Sequence, residues 1–131
     1  MKRSVLITGC AGGIGAALAE AFHKEGWRVI GVDRTETALG VKKSAFVRAD
    51  LGELVRSAVA LQKFAEDIRS ACGGSPLTAI INNAAVQHVG RLNDLATDYI
   101  LETFDVNIAA PMLLAKTFLD DLEASKGSIV N

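Results

Sequence analysis

Short apolar runs alternate along the chain with longer segments in which apolar residues recur every three or four positions. Runs rich in β-branched residues and bounded by glycine or polar residues predict strands. Five such runs are present, at Ser4–Thr8, Arg28–Asp33, Ala45–Asp50, Leu77–Asn82 and Gly127–Asn131. We therefore expect five strands, with the longer segments forming the connections between them.

Three of the connections have a helical pattern. Gly13–Glu25 is rich in alanine and precedes Gly26, a residue type that commonly follows a helix end. Apolar residues at steps of three and four form one stripe over Leu54–Cys72, and another stripe runs over Leu95–Ala124. The connection Arg34–Ser44 is short and polar, so no helix is expected there.

Alternation of strands and helices predicts a parallel sheet that is covered by helices on both faces. Right-handed crossovers then give a doubly wound sheet of the Rossmann type, with strand order 3-2-1-4-5. We expect residues 1–131 to form one α/β domain, truncated after its fifth strand. That strand lies at an edge of the sheet, and an exposed edge predicts self-association or a homo-oligomer.

Composition narrows the possible partners and the compartment. The net charge is −1 and half of the residues are hydrophobic, which gives no electrostatic reason to expect nucleic acid or a membrane surface as a partner. Cys10 and Cys72 are too few for a disulfide framework, and no metal-ligand spacing is present. We expect a cytoplasmic protein without a metal site.

The segment Thr8–Gly15, TGCAGGIG, follows the first predicted strand and opens the first predicted helix. Glycines let the backbone turn sharply and approach a ligand closely, and a helix N-terminus attracts a pyrophosphate. Asp33 ends the second strand, 33 − 13 = 20 residues after Gly13, where a carboxylate can accept hydrogen bonds from ribose hydroxyls. This combination predicts a dinucleotide site.

The same segment resembles the coenzyme signature of the short-chain dehydrogenase/reductase family. NNAA (Asn82–Ala85) is similar to that family's Asn-Asn-Ala-Gly element, with Ala85 where glycine is usual, and Asp50 matches the aspartate that meets the adenine ring. The resemblance covers essentially the whole chain. The coenzyme-binding residues that it implies, together with the spacing argument, are Gly9, Gly13, Ile14, Gly15, Asp33, Arg34, Asp50, Leu51, Asn83, Ala84 and Ala85.

The segment Asp105–Lys116, DVNIAAPMLLAK, resembles the part of the family's fourth helix that carries an active-site asparagine, here Asn107. Pro111 has no N–H to donate back to the Asn107 carbonyl, so the helix should kink there. The resemblance implies that this carbonyl holds a water in a proton relay. The alternative is that Pro111 only bends the helix around the core.

Charge favours NAD over NADP as the coenzyme. The carboxylate of Asp33 would repel the 2′-phosphate of NADP, and nothing basic lies between Gly9 and Gly15. Arg34 points the other way, because its guanidinium could bind a phosphate or stack on adenine; a simple solvated arginine is the alternative.

Members of the family use a serine, a tyrosine and a lysine four residues after that tyrosine. Here the only tyrosine is Tyr99, and Thr103 stands four residues later. The resemblance therefore implies that a full-length relative transfers hydride between nicotinamide and an alcohol or carbonyl, whereas this chain alone should not turn over. His88, after NNAA, is a candidate for the border of a substrate pocket.

Several alternatives stay open. The spacing of Gly9, Gly12 and Gly15 also fits the extended branch of the family, which includes sugar-nucleotide epimerases, although NNAA and DVN resemble the ordinary branch more. The chain is expected to be a portion of a normal enzyme. It could instead be a non-catalytic dinucleotide-binding or regulatory module, or a subunit that another chain completes.

Overall fold

The computed structural model describes residues 2–36 and 45–131. Its strands are β1 (Ser4–Thr8), β2 (Arg28–Asp33), β3 (Ala45–Arg48), β4 (Ala79–Ile81) and β5 (Ser128–Val130). They form one parallel sheet in the order β3-β2-β1-β4-β5, which confirms the predicted topology. The reversal of strand order beside β1 creates a crevice at the carboxyl ends of the strands, where doubly wound sheets bind ligands.

Helices cover both faces of this sheet. They are α1 (Gly13–Lys24), α2 (Leu51–Arg56), α3 (Ala58–Ala71), α4 (Thr97–Phe104), α5 (Ala110–Thr117) and α6 (Leu119–Ser125), with a 3-10 turn at Leu92–Asp94 and a π-helical turn at Asp105–Ala109. Within residues 2–36 and 45–131, no helix is both long and apolar enough to cross a bilayer.

Alternate side chains of the central strand β1 belong to two separate cores. Leu6 packs in the core that contains Phe64 and Phe118, whereas Val5 and Ile7 pack in the core on the opposite face. The Phe118 ring is fully buried and meets the Phe64 ring edge-on at 6.4 Å. Burying one such side chain contributes roughly 1.5–3 kcal/mol, so both faces of β1 stabilise the centre of the sheet.

Several predicted boundaries are wrong: β4 and β5 are each shorter than predicted, and two further corrections come from short polar side chains. The third strand ends at Arg48, because Asp50 caps α2 by accepting the N–H of Gly52 at 2.9 Å. The single stripe predicted over residues 54–72 is divided between two helices, since the hydroxyl of Ser57 accepts the N–H of Ala60 at 3.1 Å and starts α3.

The long helix predicted over residues 95–124 is also divided. In the π-helical turn the N–H of Ala110 donates to the carbonyl of Asp105, five residues earlier, and a further break falls at Phe118. The turn contains Asn107, and Pro111 has no N–H that could donate a hydrogen bond to the Asn107 carbonyl. A kink was predicted at this point, and the structure has a π turn there. The interpretation of 34–44 as a connection without a helix falls largely outside the described residues.

The strand β5 is partly exposed at the edge of the sheet. Ile129 and Val130 are 39% and 54% exposed, and among the described strands β5 pairs only with β4. An edge of this kind offers backbone donors and acceptors to a further strand. Self-association through this edge remains a prediction.

Candidate functional site

A cleft of ≈ 320 Å³ lies at the carboxyl ends of the strands. It is lined by Gly9, Val32, Asp33, Arg34, Ala49, Asp50, Leu51, Asn83, Ala84, Ala85, Val86 and Val106. These residues follow the ends of β1, β2, β3 and β4 or belong to the start of α2 and to the π turn, so the crevice that the topology predicts is present as a cavity.

Hydrogen bonds between the ends of β1 and β4 form one wall of the cleft. The buried hydroxyl of Thr8 accepts the N–H groups of Asn83 at 3.1 Å and Ala84 at 3.0 Å. In return, Nδ2 of Asn83 donates to the carbonyls of Thr8 at 3.1 Å and Gly9 at 3.2 Å. The amide of Asn83 is thus engaged in structure, and its backbone holds the NNAA loop against the loop after β1.

Glycine is required at two positions of this wall. Gly9 has φ +68°, and a Cβ there would lie 2.9 Å from the Cα of Ala84. A Cβ on Gly15 would overlap the carbonyl oxygen of Gly9 and approach Nδ2 of Asn83 at 2.7 Å. Both glycines therefore allow the first turn of α1 to pack directly against the strand ends.

The N-terminus of α1 carries no side-chain cap. Gly12 occupies the N-cap position, and the first turn contains no acidic residue. The free N–H groups and the positive end of the helix dipole therefore suit an anion. Gly13 has open space where a side chain would be, and Ile14 is 73% exposed on this turn.

The carboxylate of Asp33 is held by two backbone groups. Oδ2 accepts the N–H of Ala11 at 3.0 Å, and Oδ1 accepts the N–H of Thr35 at 3.1 Å. Each carboxylate oxygen can accept a further hydrogen bond, so both stay able to bind a hydroxyl. The contact with Ala11 also ties the end of β2 to the loop that precedes α1.

Asn107 directs its side chain at the backbone of Val86 rather than into the cleft. Its Oδ1 accepts the Val86 N–H at 2.8 Å, and its Nδ2 donates to the Val86 carbonyl at 2.9 Å. The first residue of the π turn, Asp105, forms a two-pronged ion pair with Arg56 of α2, at 2.7 and 2.8 Å, which raises the pKa of the guanidinium. The turn is thereby fixed to both α2 and the loop after β4.

Eight of the predicted coenzyme residues line the cleft together: Gly9, Asp33, Arg34, Asp50, Leu51, Asn83, Ala84 and Ala85. Gly13, Ile14 and Gly15 belong instead to the first turn of α1. The cleft also has an apolar lining that was not predicted, which is Val32, Ala49, Val86 and Val106. Each of these residues directly adjoins a predicted one in the sequence, and that adjacency was the available signal.

The other titratable candidates lie outside the cleft lining. The His88 ring stacks on the Tyr99 ring, with 4.1 Å between the ring centroids and 2° between the ring planes. Its Nε2 donates to Oε2 of Glu102 at 2.9 Å. Burial raises the pKa of the Cys72 thiol, whose sulfur accepts a hydrogen bond from the Ser4 hydroxyl at 3.6 Å. In the part of the chain that the structure describes, no three His, Cys, Asp or Glu side chains gather where they could hold a metal ion.

Comparison with known proteins gives consistent matches over the whole chain. The family model for short chain dehydrogenase matches residues 3–131. Protein FixR from Bradyrhizobium diazoefficiens is 32% identical over 97% of this chain and 48% of its own length. Short-chain dehydrogenase/reductase GME11361 from Pestalotiopsis microspora is 35% identical over 98% of this chain and 46% of its own. The chain thus spans about half the length of the curated relatives it matches.

Solved structures match the fold as well. A short chain dehydrogenase/reductase family oxidoreductase from Brucella ovis, in complex with a partially ordered NAD, gives a TM-score of 0.84 at 28% identity, over 100% of this chain and 62% of that one. A metagenomic short-chain oxidoreductase in complex with NADP gives a TM-score of 0.81 at 28% identity, over 97% of this chain and 59% of that one. From the family model and these relatives, the chain belongs to the short-chain dehydrogenase family.

Proposed function

We propose that residues 1–131 form a coenzyme-binding domain that prefers NAD, within a protein that transfers hydride between nicotinamide and an alcohol or carbonyl. The observation that carries the proposal is the carboxylate of Asp33 at the cleft, next to the uncapped N-terminus of α1. One group suits a ribose diol and the other suits a pyrophosphate, which are the two polar parts of a dinucleotide.

The residues present fit such a coenzyme. The positive φ of Gly9 and the open space at Gly13 leave room for phosphates beside the backbone N–H groups of α1. Asp33 would accept the ribose hydroxyls, and Asp50 with Leu51 would border the adenine. Ile14, Asn83, Ala84 and Ala85 would contact the remainder, while the bound coenzyme would supply the hydride chemistry.

The preference for NAD rests on charge. Relatives of known structure hold either NAD or NADP, so the family alone does not select between them. A 2′-phosphate near Asp33 would oppose a like charge, which costs about 1 kcal/mol at roughly 4 Å in water and more in a partly enclosed cleft. The hydrogen bonds from Ala11 and Thr35 hold the Asp33 carboxylate in place at the cleft, where a 2′-phosphate would meet it.

For the whole protein, we propose that the proton-transfer residues lie in the half of the relatives' length that this chain does not span. Thr103 stands four residues after Tyr99, and the Tyr99 ring stacks on His88 outside the cleft lining. The part that Asn107 plays is to hold Val86 at the cleft and to present its own carbonyl where Pro111 offers no N–H.

The test is fluorescence titration of the protein with NADH and NADPH. We expect NADH to bind at least about tenfold more tightly, and Asp33→Asn to narrow that ratio, since it removes the repelling charge. Asp67→Asn, which removes a charge of the same sign on the exposed face of α3, should leave the ratio unchanged. Absence of binding by both coenzymes, or tighter binding of NADPH, would refute the proposal.

A further inference from the structure

The guanidinium of Arg34 lies beside a carboxylate from the opposite side of the cleft. NH1 of Arg34 is 3.8 Å from Oε1 of Glu102 on α4. Arg34 lines the cleft from the end of β2, and Val106, four residues after Glu102, lines it from the π turn. The ion pair therefore connects two elements between which the cleft lies, and Glu102 is 68 residues away from Arg34 in the sequence.

The second oxygen of Glu102 has a partner that fixes the carboxylate. Oε2 accepts a hydrogen bond from Nε2 of His88 at 2.9 Å, and the His88 ring is stacked on Tyr99, one turn earlier on α4. Because these contacts already order the Glu102 carboxylate, pairing with Arg34 costs little additional side-chain entropy.

The backbone of Arg34 is fixed independently of Glu102. Nε of Arg48 donates to the Arg34 carbonyl at 3.2 Å, at the end of β3. The Arg34 side chain is 65% exposed, so it can pair either with Glu102 or with a group bound in the cleft. Among the described residues, Asp33 and Asp50 line the cleft with Arg34, Arg48 and Glu53 line the adjoining groove with it, and Glu102 faces its guanidinium.

We propose that Glu102 adds to the preference for NAD that Asp33 sets, by competing with the 2′-phosphate of NADP for the Arg34 guanidinium. The inference rests on the proposed function and extends it to a residue outside the cleft lining. NADP would need Arg34 as the cation for its 2′-phosphate, and would have to separate it from Glu102 first. NAD has no such group, so it binds with the ion pair intact.

The test is a double-mutant cycle on Glu102 and Arg34, read by NADH and NADPH titration at low salt. Glu102→Gln should raise the affinity for NADPH about two- to fivefold, the range that corresponds to an exposed ion pair, and leave the affinity for NADH unchanged. In the Arg34→Ala background the same substitution should have less than about half of this effect. Addition of about 0.5 M salt should remove it.

Glu66→Gln is the matched control, because Glu66 lies on α3 and accepts a hydrogen bond from Gln62 of the same helix. It should change neither affinity. Equal shifts for NADH and NADPH in Glu102→Gln, or an undiminished shift without Arg34, would overturn the inference while leaving the proposed function intact. Failure of the unaltered protein to bind either coenzyme would overturn both.

Discussion

The two hydrogen bonds between Asn107 and Val86 allow a prediction with a magnitude. They close a ring between the π turn and the loop after β4, at 2.8 and 2.9 Å, in a partly buried setting. Asn107→Ala removes both and leaves the N–H and carbonyl of Val86 without these partners.

Each of these bonds contributes about 0.5–1.5 kcal/mol, so the substitution should lower the free energy of unfolding by about 1–3 kcal/mol. An unfolding entropy of about 2.1 cal/mol/K per residue over 131 residues converts this into a fall in Tm of about 4–11 °C. Because Val86 lines the cleft, coenzyme affinity should fall as well.

Thermal unfolding followed by circular dichroism measures the effect. Asn93→Ala, at an exposed position of the 3-10 turn, is the control and should shift Tm by less than about 1 °C. Asn107→Asp keeps the acceptor but places a second oxygen against the Val86 carbonyl, so it should be at least as unstable as Asn107→Ala at pH 7. A Tm for Asn107→Ala within about 1 °C of the unaltered protein would refute the reasoning.

Asn107→Asp also separates hydrogen bonding from side-chain size. Protonation of the new carboxyl restores a donor toward Val86, so the folded state should raise the pKa of that carboxyl. A carboxyl whose pKa is higher in the folded than in the unfolded state stabilises the protein at pH values below the unfolded pKa. That contribution is lost as pH rises through the folded pKa. Relative to Asn107→Ala, the aspartate variant should therefore gain stability as pH falls toward about 4.

Two further predictions concern the β1 region. Gly15→Ala should destabilise by about 1–3 kcal/mol or more in denaturant unfolding, because its Cβ overlaps the Gly9 carbonyl. Gly12→Ala has open space for its Cβ and changes only the N-cap residue of α1, so it should cost less than about 1 kcal/mol, and equal effects of the two substitutions would contradict this reasoning. Burial raises the pKa of the Cys72 thiol, so the folded state keeps the thiol proton at pH values where the unfolded state has lost it. The free energy of unfolding should therefore fall as pH rises past the ordinary value of 9.0, and Cys72→Ala should reduce this dependence on pH. A slope that persists in Cys72→Ala would assign it to another group.

The sheet was predictable from sequence, because its evidence is local and repeated. Each strand is a short apolar run, and right-handed crossovers leave few possible orders for parallel strands. The errors arose where one side chain decides between two local structures. Asp50 could extend β3 or cap α2, and its hydrogen bond to Gly52 selects the cap. The apolar stripe through Ser57 is equally compatible with one helix or two.

The candidate site likewise contains features that could be predicted from the sequence and features that could not. The positions of Asp33 and the glycines at the carboxyl ends of the strands were predictable, since their spacing from a strand end is fixed by the geometry of a strand–loop–helix unit, and their contact with a coenzyme stays a prediction. The pairing of Arg34 with Glu102 was not, because it joins residues far apart in the sequence through side chains that follow no periodicity. The assignment of Asn107 lay between these cases: Pro111 indicated an irregular turn but gave no information on the contact with Val86.

The π turn reconciles a helical spacing with a fixed core. The buried residues of this region recur at steps of four: Val106, Ala110, Leu114, Phe118 and Leu122. In a straight α-helix each such step drifts by about 40°, so the last residue would point roughly 160° away from the first. The extra residue in the π turn at Asp105–Ala109 and the break at Phe118 each take up part of this drift, and all five residues reach one core. The irregularity that brings Asn107 to Val86 is therefore also what keeps the segment packed, so a substitution that regularises the turn should cost both stability and coenzyme affinity.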